Sequence, residues 1–478
     1  MNDLKRRWLR PSVFVAACAM MMCWACKEDN FIPDEKPDPT DTTVVPPPIS
    51  TYKVNILLAY PEGFTAKEGI PVTLKNSTSG TIAEAATIAD GTVQFVVVKG
   101  IYEAVASETR SDEFFNYIFN GVISRIVVDD KYDEAQTPLA LTLTTVAKEV
   151  EGDPNPIGRV VIKELYNGGC PKDDGSGSYQ FDKYVILYNN SNGTAQLKDL
   201  TLAIVNPYNS QASNYDYVDG KLFYEAEGWL PAGQGYWTFL DSASLNPGEQ
   251  IVIALTGAID NTVTYSQSIN FANPNYYCTY DIAVFPNLSY YPAPSEVIPT
   301  SHWLKGYLFG AGNAWTLSVT SPGFFLFVPQ GITSEGIAAD PSYSNYMNNN
   351  QTAANHRKKI STGWVVDGIE VFNKGNANNQ KRLTPAVDAG YIELTNAQGY
   401  TLYRNVDKQA TEAITANTGK LVYNYNLGTE GIDGVDGTTD PSGIDAEASI
   451  KNGARIVYKD SNNATNDFHQ RRKSSLRE

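Results

Sequence analysis

Three histidines, five cysteines and a scatter of aspartates are the residues of this chain that could do chemistry, and their spacing limits what it would be. His302, His356 and His469 lie in unrelated stretches. A Ser-His-Asp site does not require its members to be close in sequence. However, no Gly-x-Ser-x-Gly elbow, His-Glu-x-x-His pair or phosphate-cradling glycine loop occurs. His302, beside Trp303 and Lys305, reads as a loop residue, and His469, in "DFHQRR", reads as a surface residue among charges. No residue is assigned a catalytic role, and the chain reads as a non-enzyme. Asp433, Asp436 and Asp440 stand among glycines in "EGIDGVDGTTDPSGID". Hard oxygen ligands on such a loop suit calcium, but the spacing departs from the EF-hand rule, and a solvated turn is the competing reading. Asp173, Asp174 and Asp182 in "PKDDGSGSYQFD" carry the same ambiguity. No other cofactor is indicated.

The cysteines divide by position. Cys23 and Cys26 lie in "MMCWACKEDN", behind basic Lys5–Arg10 and an apolar stretch from Pro11 to Ala25. Fifteen residues are short of the ~20 that span a bilayer, whereas a charged segment and a short apolar one make a secretion signal. A redox Cys-x-x-Cys would need a βαβ surrounding, which is missing from the pattern. Cys26 after small Ala25 resembles a bacterial lipobox, in which the signal is removed and the cysteine acylated. Cys18 in "VAAC" is the alternative, at the cost of a very short apolar segment. Lys27, Glu28 and Asp29 resemble the charged signal that sends Bacteroidota lipoproteins to the outer face of the outer membrane; a solvated start to a linker is the plainer reading. Cys170 and Cys278 remain. An even pair in an exported protein is compatible with a disulfide, and spacing alone does not decide whether they meet.

Aromatic residues crowd the stretch from Tyr276 to Phe327. Phe324, Phe325 and Phe327 in "GFFLFVP" read as core. Tyr276, Tyr277, Tyr280, Tyr290, Tyr291 and Trp303 sit among Asn and Pro, where amphipathic rings are common at recognition surfaces. They are candidates for a ligand face, with burial in the core as the competing reading.

These residues need elements to hold them. The chain has 478 residues and a formal charge of −16. Residues 1–25 carry Lys5, Arg6, Arg7 and Arg10 against Asp3, so the remainder holds −16 − 3 = −19. Such an acidic chain lacks the clustered cations that release counterions from nucleic acid. The stretch 26–49 is rich in proline and acids and reads as an extended linker; at about 3.1 Å per residue it would reach roughly 70 Å. From 50 to 147, "YKVNILLAY", "ADGTVQFVVVKG" and "TPLALTLTTV" alternate apolar and polar residues between Gly, Asp and Asn turns, which predicts a β-sandwich. The order V-T-L-x-N, D-G-T-V-x-F, G-x-Y-x-A resembles the carboxypeptidase regulatory-like, or transthyretin-like, module.

From 155 to 478, "GRVVIKELYNGG", "FDKYVILYNN" and "LNPGEQIVIAL" resemble the start of a lamin-tail-like immunoglobulin sandwich, and "GYTLYRNVD" and "KDSNNATNDF" its closing strands. Residues of about 256–398 would then be a large irregular insertion. The fold expected is all-β: two tandem sandwiches, the second carrying that insertion. Together with "WVVDGIEVF" and "KRLTPAVDAG", these segments resemble an uncharacterised Bacteroidota surface-lipoprotein family filed as domain of unknown function 4876. The resemblance implies an outer-membrane lipoprotein, anchored by its N-terminal lipid and facing outward, that accompanies a TonB-dependent receptor and captures a small molecule, glycan or protein. A structural or adhesive surface protein is the alternative, and a hydrolase a more distant one.

Overall fold

Side-chain alternation sets the N-terminal strands. In the computed structural model, Thr51–Ala59 turns Val54, Ile56 and Leu58 inward and leaves Thr51 and Lys53 exposed. Thr92–Val98 does the same with Val93, Phe95 and Val97. Asp90 and Gly91 make the turn before it: Asp90 accepts the Thr92 N–H at 2.9 Å, and Gly91 takes φ +83°, a value that favours glycine. Thr92–Val98, Thr51–Ala59 and Leu139–Thr142 form one sheet. Ile82–Ala86, Pro71–Asn76, Gly100–Ser111, Phe115–Val128 and Thr144–Glu149 form another. Their inner faces close on a single apolar core that includes Leu74, Phe95, Tyr102, Phe119 and Leu141. This is the expected sandwich.

The structure describes residues 50–61, 63–77, 79–111, 115–149, 160–240, 243–428 and 439–477. The signal segment 1–25, the linker 26–49, Cys26, Lys27, Glu28 and Asp29 therefore lie outside the described residues, as do Asp433 and Asp436. Among the described residues no helix is long and apolar enough to cross a membrane.

The remainder is built on one 14-stranded sheet. Its path runs from Ile392–Leu394 through Val365–Asn373, Gly323–Phe327, Thr201–Val205, Trp229–Thr238, Trp303–Leu308, Tyr277–Thr279, Gln250–Ala254, Tyr184–Asn189, Val160–Tyr166 and Thr401–Arg404 to Phe468–Arg471. The two ends approach each other, and the Thr395 N–H donates to Gln470 Oε1 at 2.5 Å across the gap. The sheet is thus nearly closed around a core that includes Trp237, Trp315, Phe285 and Leu326. The span 256–398 is irregular, with short 3-10 turns such as Asn261–Val263 and Ala353–Asn355, yet its strands are built into this same sheet.

Within the compact unit Ser50–Glu478, the N-terminal sandwich meets the larger domain through an outer face. Glu103, Val105, Ile118 and Asn120 point away from the sandwich core but are buried, Asn120 to 1% exposure. Asn120 Nδ2 donates to the Ser461 carbonyl at 2.6 Å, and the Glu103 carboxyl bonds Tyr391. An outward face that is buried, with its polar groups bonded across the boundary, marks a packed contact.

Candidate functional site

At that contact lies a cleft of about 510 Å³. Ser107 and Thr109 of the sandwich form one side, and Asn405, Asp407, Ser461 and Thr465 are among the residues of the other. Its far wall exists because two distant segments are pinned together. Arg404 ends the strand Thr401–Arg404, donates from Nε to the Ile162 carbonyl at 2.7 Å and from Nη1 to the Lys459 carbonyl at 2.9 Å, and pairs with Asp367. Asp460 and Asp467 stand 3.6 and 3.9 Å from the same guanidinium, which lies 4.4 Å above the Phe468 ring. Asp467 also accepts from Ser461 Oγ at 2.7 Å and Ser461 N at 2.8 Å, so the wall is hydrogen-bonded before any ligand arrives.

The electrostatics follow from this arrangement. Among the described residues the cleft is lined by Asp407, Asp460 and Asp467, with Lys459 beside them and the Arg404 guanidinium behind Asp460 and Asp467. Burial pushes the Asp367 carboxyl up to about 6, against the pull of Arg404, and burial raises Asp467 as well. The cleft is rich in acceptors and hydroxyls. It suits a ligand that donates hydrogen bonds, a polyol or an amine, over an anion, which would meet more carboxylates than cations.

Behind the cleft, Asn405 Oδ1 lies 2.8 Å from His469 Nδ1, and the Tyr425 hydroxyl 2.5 Å from Nε2. His469 is buried in the strand Phe468–Arg471, contrary to the surface position expected from its charged neighbours. Burial first, and then Arg471, push its pKa down to about 3, so it stays neutral and serves as an orienting link in place of a base. His302 closes a 3-10 turn and stacks on Tyr277 at 4.0 Å. His356 stacks on Tyr346 at 4.7 Å. The three histidines lie in separate surroundings.

The aromatic candidates divide in the same way. Tyr291 belongs to the core, its hydroxyl bonded to the Trp315 carbonyl at 2.6 Å. Tyr290 is half-buried against Phe181, with ring centroids 4.9 Å apart. Tyr276, Tyr277, Tyr280 and Trp303 are brought together: Tyr280 packs edge-on to Trp303 at 4.8 Å, and His302 Nδ1 lies 3.1 Å from the Tyr276 carbonyl. These four are half-buried and seat on the cores beneath them. Phe324, Phe325 and Phe327 are buried as read.

The disulfide weighed for Cys170 and Cys278 is not formed. Each thiol has its own surroundings. Cys170 Sγ lies 3.7 Å from Asp182 Oδ2, and Cys278 sits in an apolar cluster with Ile186, Val252 and Phe271. Burial pushes both thiols up to about 12. Asp440 is not a free calcium ligand: it is buried and accepts the Val406 N–H at 2.9 Å and the Ser442 N–H at 2.8 Å. Asp182 is also buried, bonded by Ser268 at 2.8 Å, and Asp173 and Asp174 bind Ser266 and Ser176. No group of three metal-ligating side chains occurs among the described residues.

Fold and cleft together define an all-β protein with a small sandwich docked on a large, nearly closed sheet. A family model described as "Protein of unknown function (DUF4876)" matches residues 246–424, within the large domain. A crystal structure of a DUF4876 family protein from Bacteroides thetaiotaomicron is similar, with a TM-score of 0.48 and 18% identity over 87% of this chain and 94% of that one. A variant of BcpA, the major pilin subunit of Bacillus cereus, aligns with a TM-score of 0.15 and 10% identity over 73% of this chain and 100% of that one. No curated protein matches the chain.

Proposed function

We propose that this protein is a lipid-anchored Bacteroidota lipoprotein that captures an extracellular ligand in the cleft and presents it to a TonB-dependent outer-membrane transporter. Acylation at Cys26 holds it to the outer membrane, with Lys27, Glu28 and Asp29 directing it outward. The observation that carries the reading is the cleft of about 510 Å³, whose walls come from both domains and whose far wall is hydrogen-bonded in advance through Ser461 and Asp467. A pre-formed polar concavity, with no catalytic constellation among its described residues, supports a binding site. Tethering adds a high local concentration near the receptor. The ligand class is a hydrogen-bond donor such as a neutral glycan.

The test is binding of neutral, uronic and amino oligosaccharides by calorimetry, with Thr465→Trp as the cleft-filling variant. Binding of neutral or amino sugars that falls at least tenfold in the variant is expected. Binding that the variant leaves unchanged overturns the assignment of the cleft. In the organism, a deletion strain should lose growth on a single iron, sugar or cofactor source; loss of attachment alone would favour an adhesive protein.

A further inference from the structure

Lys163 is the one residue of Val160–Tyr166 without a partner on Tyr184–Asn189: the register shifts so that Ile186 faces Glu164 and Leu187 faces Ile162. This bulge turns the lysine side chain over the neighbouring strand, where it is fully buried. Its amine ends 2.5 Å from Gln250 Oε1, on the strand Gln250–Ala254, and 2.6 Å from Glu447 Oε1, on the helix Ala446–Lys451. The rings of Tyr403 and Tyr458 lie 5.6 and 6.0 Å from the amine. The Tyr403 hydroxyl donates to Glu447 Oε1 at 2.7 Å and so fixes the carboxylate. The oxygen of a carboxamide and that of a carboxylate, from two further elements, thus meet on one buried amine.

We propose that Lys163 and Gln250 become joined by an intramolecular amide bond, with Glu447 as the proton carrier. The Lys163 ammonium passes a proton to Glu447, and the neutral Nζ attacks Gln250 Cδ. As the tetrahedral centre collapses, the new Nζ–Cδ bond remains and the old Cδ–Nε2 bond breaks. The Nζ proton transfers, by way of Glu447, to the departing nitrogen, which leaves as ammonia. Ammonia takes up the remaining Glu447 proton, so ammonium departs and the carboxylate is restored. No oxidant or co-reactant is consumed. Gln250 is exposed on its outer side, which gives ammonia a route to solvent, while the attacking amine stays buried beneath it. The 2.5 Å contact of the amine with the amide oxygen brings the two reacting groups together, a proximity that an uncatalysed amine–amide exchange lacks. The product would tie Val160–Tyr166 to Gln250–Ala254 across Tyr184–Asn189, which lies between them.

Peptide mapping by mass spectrometry of the full chain tests this. The expected result is a branched tryptic peptide joining Lys163 and Gln250, lighter by one ammonia than its two parts, and its loss in Lys163→Met and in Glu447→Gln. Recovery of the wild-type chain with Lys163 and Gln250 both unmodified overturns the proposal without recourse to any variant. A branch that forms as fully in Glu447→Gln overturns the role given to the carboxylate. Neither result bears on the ligand cleft, so the two readings stand or fall separately.

Discussion

Glu103 makes the contact between the two domains sensitive to pH. Its carboxyl is 4% exposed, on a face covered by the larger domain. Burial dominates its environment; the Tyr391 hydroxyl bond and the charges of Lys75 and Lys381 pull the other way, and Glu393 adds a like charge. The result is a pKa raised from 4.5 to about 7. The folded state therefore holds a proton that the unfolded chain releases near 4.5. Below that value Glu103 costs nothing. Between 4.5 and about 7 the unfolded state gains by ionising, and stability falls as pH rises. At about 1.36 kcal/mol per pH unit, (7 − 4.5) × 1.36 gives a loss of about 3 kcal/mol by pH 8. Glu103→Gln keeps the shape and removes the titration. Urea unfolding of both proteins from pH 4.5 to 8.5 measures the difference, and the variant should gain up to about 3 kcal/mol over wild type as pH rises. Asp388, which burial raises to about 7, titrates in both proteins and cancels. A difference that stays flat over that range refutes the reasoning.

Two further outcomes follow from buried groups. Arg382 bonds Glu370 through Nε and Nη2, both side chains being fully buried, so Arg382→Ala should cost about 3–5 kcal/mol in the same assay by stranding the carboxylate. Cys170 and Cys278 are buried, unjoined thiols with raised pKa values; they should resist alkylation in the native protein at pH 8, both react once it is unfolded, and reductant should leave the melting temperature unchanged.

Much of the N-terminal sandwich was legible because one face of each strand meets a core and the other meets water. Val54, Ile56 and Leu58 announce a strand by themselves. The large domain gave up its opening strands, since "VVIKELY" and "YVILYN" are apolar runs, and it gave up Gln250–Ala254 and Thr401–Arg404. The region 256–398 was harder to read. Its strand His356–Ser361 reads "HRKKIS", a polar run, yet Arg357 is buried, with Asp216 accepting from Nη1 and Nη2 at 2.6 Å each and Asn345 from Nε at 2.7 Å. Pairing with a partner 141 positions away hides such a strand from any local pattern. The cleft was hidden for the same reason: Asp367, Arg404 and Asp467 are ordinary until the fold brings them together. The aromatic cluster was visible as composition, but its division between core Tyr291 and half-buried Tyr277 depends on packing that composition does not encode.

The near-closure of the large sheet also sets the order in which the chain can fold. The Thr401 hydroxyl donates to the Leu165 carbonyl, a partner 236 positions earlier. Bringing such distant segments together carries a loop-closure entropy that must be met before the contact gives anything back. The N-terminal sandwich closes over far shorter spans, as in the turn from Thr92–Val98 into Gly100–Ser111. Folding should therefore show two phases, a fast one from the sandwich and a slow one as Val160–Tyr166 finds Thr401–Arg404, with the cleft between the two domains appearing only in the second.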